Sequence, residues 1–393
     1  MKKLLLASAA TALMAGAASA QDVKLGVLLG FTGPLESITP AMGAGADLAI
    51  KEINDTGKFT LGTVSAVRGD STCVDAAAAT AAAERLVTAD GVTAIVGGDC
   101  SGVTGAVLQN VARPNGIGMI SPSATSPALS TAEDDGLFFR TAPSDARQGE
   151  IMADILTEKG IKSVALTYTN NDYGKGLADS FGAAFAAKGG SVTISAPHED
   201  GKADYSAEVA SLASAGGEML VVAGYVDQGG KGVIQASLDS GAFDTFYLVD
   251  GMYGDALIEA IGEPLNGSFG AVPGTDSEGA TKFQEMATAA GFDGTSAFSP
   301  ESYDAAALIL MSMAAANSTA SKDWTTKVMD LANAPGEPIL PGELGKALEL
   351  IAAGTDIDYI GATAVELVGA GESAGNYREY SITDGAITTV GFR

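Results

Sequence analysis

Two groups of small hydroxyl residues in the first half of the chain have the chemistry to hold an anion. Ser101 follows Gly97-Gly98-Asp99-Cys100 at the expected start of a helix, and Ser123-Ala124-Thr125 lies within Ser121-Pro122-Ser123-Ala124-Thr125-Ser126-Pro127. Hydroxyls beside the free amides and positive dipole end of a helix suit a small carboxylate. The same residue types are the ordinary material of caps and loops, so their meaning depends on what faces them. Further along, Tyr173 in Asn170-Asn171-Asp172-Tyr173-Gly174, Tyr225 after Gly224 and Asp250 before Gly251 each follow an expected strand. An aspartate there can pair with an ammonium, and the two tyrosines can cover an apolar side chain. Singly, each of these is also an ordinary loop residue.

Other chemistries find little support. His198 is the only histidine, in Pro197-His198-Glu199-Asp200, and reads as a surface residue rather than a base. Gly98-Asp99-Cys100-Ser101-Gly102 has the spacing of a hydrolase elbow with Cys100 as nucleophile, a reading that needs Cys100 free. Gly224 and Gly229 have phosphate-loop spacing, but Gly230 stands where lysine is required. Gly43-Ala44-Gly45 lies inside a helix rather than after the first strand. No zinc or calcium pattern is present, and neither a cofactor nor a resident metal is expected. An enzyme is therefore not expected.

The elements that must position these residues alternate. Strand Val23 to Leu29 precedes a helix burying Met42, Ala46, Ala49, Ile50 and Ile53. Strands Leu61 to Gly69, Thr93 to Gly97 and Ile117 to Ile120 follow, separated by helices. A second run begins after Phe138-Phe139-Arg140-Thr141-Ala142-Pro143, with strands Val164 to Tyr168, Val192 to Ser195, Met219 to Ala223 and Phe246 to Val249. The fold class is α/β, two units each with a parallel sheet wrapped by helices. In such sheets ligands bind beyond the carboxyl ends of the strands, where both sets of candidate residues fall. Ser268-Phe269-Gly270-Ala271-Val272-Pro273 repeats the earlier punctuation, with an aspartate soon after each (Asp145, Asp276). Asp384-Gly385 signals a closing hairpin.

Residues 1–20 read as a cleaved export leader: Lys2 and Lys3, an apolar run from Leu4 to Ala17, then Ala18-Ser19-Ala20. A periplasmic protein of 373 residues is expected, too long for one core. With 22 basic and 48 acidic residues the net charge is −26, which disfavours nucleic acid and anionic membrane surfaces. Cys73 and Cys100 are the only cysteines. In an oxidising compartment they read as a disulfide, the alternative being two free thiols.

From Gly26-Val27-Leu28-Leu29-Gly30-Phe31-Thr32-Gly33-Pro34 onward, these features together resemble the leucine/isoleucine/valine-binding family of periplasmic solute-binding proteins. That resemblance implies two Rossmann-like lobes of a type I periplasmic binding protein joined by three hinge crossings. It places residues 21–141 with 273–378 in one lobe and 142–272 with 379–393 in the other. It implies that Ser101 and Thr125 hold a ligand carboxylate, and that a backbone carbonyl at Ser123, beside Ala124, takes an ammonium hydrogen. Asp250 falls where leucine-binding members carry a glutamate for the ammonium, and Tyr173 and Tyr225 close from the second lobe. Tyr303 matches a peripheral aromatic, Ile38 stands where a tyrosine lines the side-chain pocket, and the cysteines match a bridged pair. The implied function is delivery of a small neutral amino acid of branched-chain type to an ABC permease in the inner membrane, by a monomer. An amide, urea or aromatic carboxylate is the alternative ligand, and sensing is an alternative to transport.

Overall fold

The computed structural model describes residues 22–393, so the expected leader and its cleavage after Ala20 lie outside the described residues. Among the described residues no helix is long and apolar enough to cross a membrane. Two seven-stranded sheets carry the architecture. The first runs in the spatial order Leu367–Val368, Glu372–Ser373, Phe138–Pro143, Met119–Ser121, Ala94–Gly97, Val23–Leu29, Val64–Asp70. In the second the order is Ala386–Phe392, Tyr377–Thr383, Phe269–Pro273, Phe246–Leu248, Met219–Ala223, Ser163–Thr169, Ser191–His198. The five strands at the Val64–Asp70 end of the first sheet and the five at the Ser191–His198 end of the second are mutually parallel. Val27, Ile95 and Val96 in the first lobe and Leu166, Val221 and Val222 in the second are fully covered, as expected when helices pack both faces of a parallel sheet.

Helix Thr39–Thr56 starts with Pro40 in its first turn and stops at Gly57 in the left-handed conformation. Its apolar face meets helix Ser299–Ala316, and the two approach so closely that a Cβ at Gly45 would stand 2.3 Å from the carbonyl oxygen of Ser299. The chain passes between lobes after Pro143, after Pro273 and between Ser373 and Tyr377. Tyr377–Thr383 and Ala386–Phe392 form the expected hairpin, pairing Thr383 with Ala386 across Asp384-Gly385.

Register brings the strand ends into line. In the first lobe Leu28 stands opposite Gly97, Val96 opposite Ile120 and Ser121 opposite Arg140. Tyr168 is level with Ala223, and Val222 with Leu248, in the second. The loops after these strands therefore emerge together in each lobe. The lobes meet at the rim, where Asp227 accepts from the backbone N–H of Ser37 at 2.9 Å and donates its own N–H to the Pro34 carbonyl at 3.1 Å.

His198 corrects the reading of a surface histidine. The strand expected over Val192 to Ser195 extends to His198, paired with Thr169, and the imidazole is buried. Its Nδ1 lies 2.8 Å from the Thr167 hydroxyl, and Nε2 has no partner.

Candidate functional site

On the first-lobe side, Cys73 is bonded to Cys100, so Cys100 is not a free nucleophile. The bridge ties the two turns together above Asp99, whose carboxylate accepts from Ser71 at 2.6 Å and from the N–H of Gly30 at 2.8 Å. Burial raises the Asp99 pKa, partly offset by those donors. Ser101 opens helix Ser101–Val107, and its hydroxyl accepts from the N–H of Ser126 at 3.0 Å, joining the two hydroxyl clusters. Ser123 donates to the Asp99 carbonyl at 3.0 Å. The carbonyl of Ala124 is engaged by Arg140, which reaches it and the Ser126 carbonyl at 2.9 Å each. Arg140 is 1% exposed and also pairs with Glu372 at 2.6 Å, so its charge is neutralised within the loop framework. Thr125 is buried, and its hydroxyl has no partner.

The second lobe brings its tyrosines and acid together. Asn171 caps helix Asp172–Ala187 by accepting from the N–H of Gly174, and its amide donates to the Tyr225 hydroxyl at 3.3 Å. The rings of Tyr173 and Tyr225 stack with centroids 5.2 Å apart. The Tyr173 hydroxyl donates to Asp250 at 2.5 Å, and the N–H of Gly251 donates to the same carboxyl oxygen at 2.8 Å. Position 251 must be glycine, because a Cβ there would lie 2.5 Å from the Gly224 carbonyl oxygen. Ile38 is buried at the start of its helix and packs toward Gly254 of the other lobe.

Several residues of the site were not assigned a role from the sequence. Asp145 and Gln148, on the first turn of helix Asp145–Glu158, are completely buried, and neither carboxyl oxygen nor either amide atom has a hydrogen-bond partner. The N–H of Asp145 donates to the Thr125 carbonyl at 2.8 Å, so this group adjoins the hydroxyl cluster. Tyr377, from the third passage, adds another buried hydroxyl without a partner. Burial pushes the Asp145 carboxyl well above the usual range; the charge of Asp250 pushes it further, against Arg140 and Thr125. Asp250 is raised by burial too, while Tyr173 and Gln148 favour its charged form. Gln148 is thus close to Asp250, and the Thr125 hydroxyl to Asp145, without either pair reaching full hydrogen-bonding geometry. Two buried acids side by side with this many unsatisfied polar atoms form a costly arrangement that a cationic group would relieve. In sequence, Asp145 stood out only as the aspartate soon after the Pro143 punctuation.

Tyr303 corrects an expectation. Its hydroxyl donates to Glu52 at 2.6 Å and its ring packs on Phe283, so it serves the helix packing of the first lobe rather than the group around Thr125 and Asp250.

A family model described as periplasmic binding protein matches residues 22–336. Leu/Ile/Val-binding protein homolog 3 of Brucella melitensis is 36% identical over 237 residues, 58% of this chain and 62% of that relative. Substrate-binding protein BasB of a chemotactic signal transduction system in Halobacterium salinarum is 30% identical across 94% of this chain and 89% of its own. Among solved structures, the leucine-binding protein LivK of Thermotoga maritima shares the fold, with a TM-score of 0.79 at 21% identity, covering 94% of this chain and 98% of that one.

Proposed function

We infer, for a chain that belongs to the periplasmic binding protein family, that it is the periplasmic receptor of an ABC importer and takes a small neutral amino acid between its lobes. The observation that carries this reading is the buried, unsatisfied group of Thr125, Asp145 and Gln148 beside Asp250. An α-ammonium set among them gains two carboxylate partners and a hydroxyl acceptor, and ends the repulsion between the acids. The α-carboxylate then lies toward Ser101 and the backbone amide of Thr125, the amides of Ser123 and Ala124 being held by the Ser121 hydroxyl; a carboxylate and an ammonium are only a few ångströms apart in any amino acid. Tyr173 and Tyr225 flank the ligand, and Ile38 borders its side chain.

Binding favours the closed arrangement because the ligand draws on both lobes, the Thr125 side and the Asp250 side, and only closure presents them together. The closed surface is what a permease would recognise. The names of the relatives support an amino acid of branched-chain type: one is a Leu/Ile/Val-binding homologue and LivK is a leucine-binding protein. The BasB likeness supports a receptor feeding a sensor as the other use of the same cleft. Acids at 145 and 250 disfavour an aromatic carboxylate, which offers them nothing to bind. A thermal-shift screen of the mature chain with amino acids, carboxylates and amides tests the reading. Stabilisation by branched-chain amino acids supports it, and stabilisation by benzoate or amides alone overturns it.

A further inference from the structure

A partly open space of about 260 Å3 lies at the hinge and shares no lining residue with the cleft group. Two of the three passages between lobes adjoin it: Gly274 and Thr275 follow one, and Arg378 follows the other. Phe298 and Glu301, at the start of helix Ser299–Ala316, close it from the first lobe.

Glu301 is 1% exposed and its Oε2 has no partner. Its backbone carbonyl is held by the Thr141 hydroxyl at 2.8 Å, which leaves the side chain as the unsatisfied part. Arg378 lies over the Tyr253 ring at 4.7 Å and donates from one terminal nitrogen to the Thr295 carbonyl at 3.1 Å, while its Nε is buried without a partner. Of the other charged groups near Glu301, Asp304 is already saturated by Tyr359, Ala362 and Thr363. A buried donor and a buried acceptor left open on one small cavity are costly unless something fills them. A bare cation there would meet Arg378, and a bare anion would meet Glu301. A molecule with a donor nitrogen at one end and an acceptor oxygen at the other satisfies both.

We propose that this hinge cavity is a second binding site, for a small zwitterion whose ammonium pairs with Glu301 and whose carboxylate accepts from Nε of Arg378. Because the passages that adjoin it must change conformation as the lobes open, an occupant bound more tightly in one state biases closure, and reciprocally the cleft ligand alters its affinity. Burial lifts the Glu301 pKa to about 8, with the charge of Asp304 adding to the effect of burial and that of Arg378 opposing it. An ammonium beside Glu301 favours its ionised form, so binding is accompanied by proton release.

Calorimetric titration of the mature protein with glycine tests this, using the Asp250→Ala variant to weaken the cleft. The expected result is one equivalent of glycine bound in that variant, with a heat that varies with the ionisation enthalpy of the buffer. Adding Glu301→Gln to it should abolish the binding, and adding Arg378→Gln should weaken it at least tenfold. Glu301→Gln alone should leave leucine binding at the cleft within threefold of the parent, which also shows that the variant folds. Glycine binding that disappears with Asp250→Ala but survives Glu301→Gln overturns the proposal, as does an absence of glycine binding in the Asp250→Ala variant at millimolar concentration. Failure of leucine to bind the parent would count against the cleft reading alone.

Discussion

The backbone N–H of Asp145 donates to the carbonyl of Thr125 at 2.8 Å, yet the side chains on either side of that bond, both buried, have no partners of their own. The bond fixes a hydroxyl from the first lobe against an acid from the second at the base of the hinge. What it leaves open is the arrangement that the proposed ammonium would complete.

Replacing either acid separates binding from folding. Asp145→Asn and Asp250→Ala should each weaken leucine binding ten- to a hundredfold, the loss of a charge-assisted hydrogen bond of roughly 1.5–3 kcal/mol. Because both carboxyl groups are held above their usual range mainly by burial, removing one also removes a desolvation cost. The unliganded Asp145→Asn variant should therefore melt no lower than the parent. A variant that binds normally, or one that simply unfolds, contradicts the assignment.

His198 predicts an acid-sensitive second lobe. Burial holds it down to about 4, against an ordinary 6.5, with Glu208 pulling weakly the other way. The unfolded chain takes up this proton first, so the contribution is fully present above pH 6.5 and is lost as the pH falls toward 4. At most it amounts to roughly 3 kcal/mol. His198→Gln should flatten the fall in denaturation midpoint over that range. Equal slopes for variant and parent would show that other groups govern it.

At the opposite rim, Asp227 acts as a latch. Asp227→Ala loses the bond from the Ser37 N–H, about 1 kcal/mol, and should shift the unliganded protein toward the open form. A larger radius of gyration by X-ray scattering and an affinity weakened about fivefold are expected. An unchanged scattering profile would mean that this contact does not decide closure.

The general plan was legible because parallel α/β sheets put ligand groups at strand ends, and Ser101, Thr125, Tyr173, Tyr225 and Asp250 all follow strands that the apolar runs marked clearly. The resemblance to the leucine/isoleucine/valine-binding proteins held for family and fold, and the cysteine pair is bonded. Asp145, Gln148 and Arg140 were less legible because their meaning lies in burial. A first-turn acid and a strand arginine are ordinary until tertiary packing removes their water. His198 was misread because four polar or turn-forming residues in a row suggest a loop. Its strand instead continues in register, and the ring turns beneath Gly224 and Gly229. Tyr303 could not be placed by its local sequence, since its partner Glu52 is 251 residues away.

The most direct measurement is calorimetric titration of the mature protein with leucine and, separately, with 4-methylpentanoate, which keeps the carboxylate and the branched chain but lacks the ammonium. On the proposed reading leucine should bind at least a hundredfold more tightly, because Asp145 and Asp250 would have nothing to hold in the analogue. Comparable affinity for the two would show that the paired acids do not recognise an ammonium.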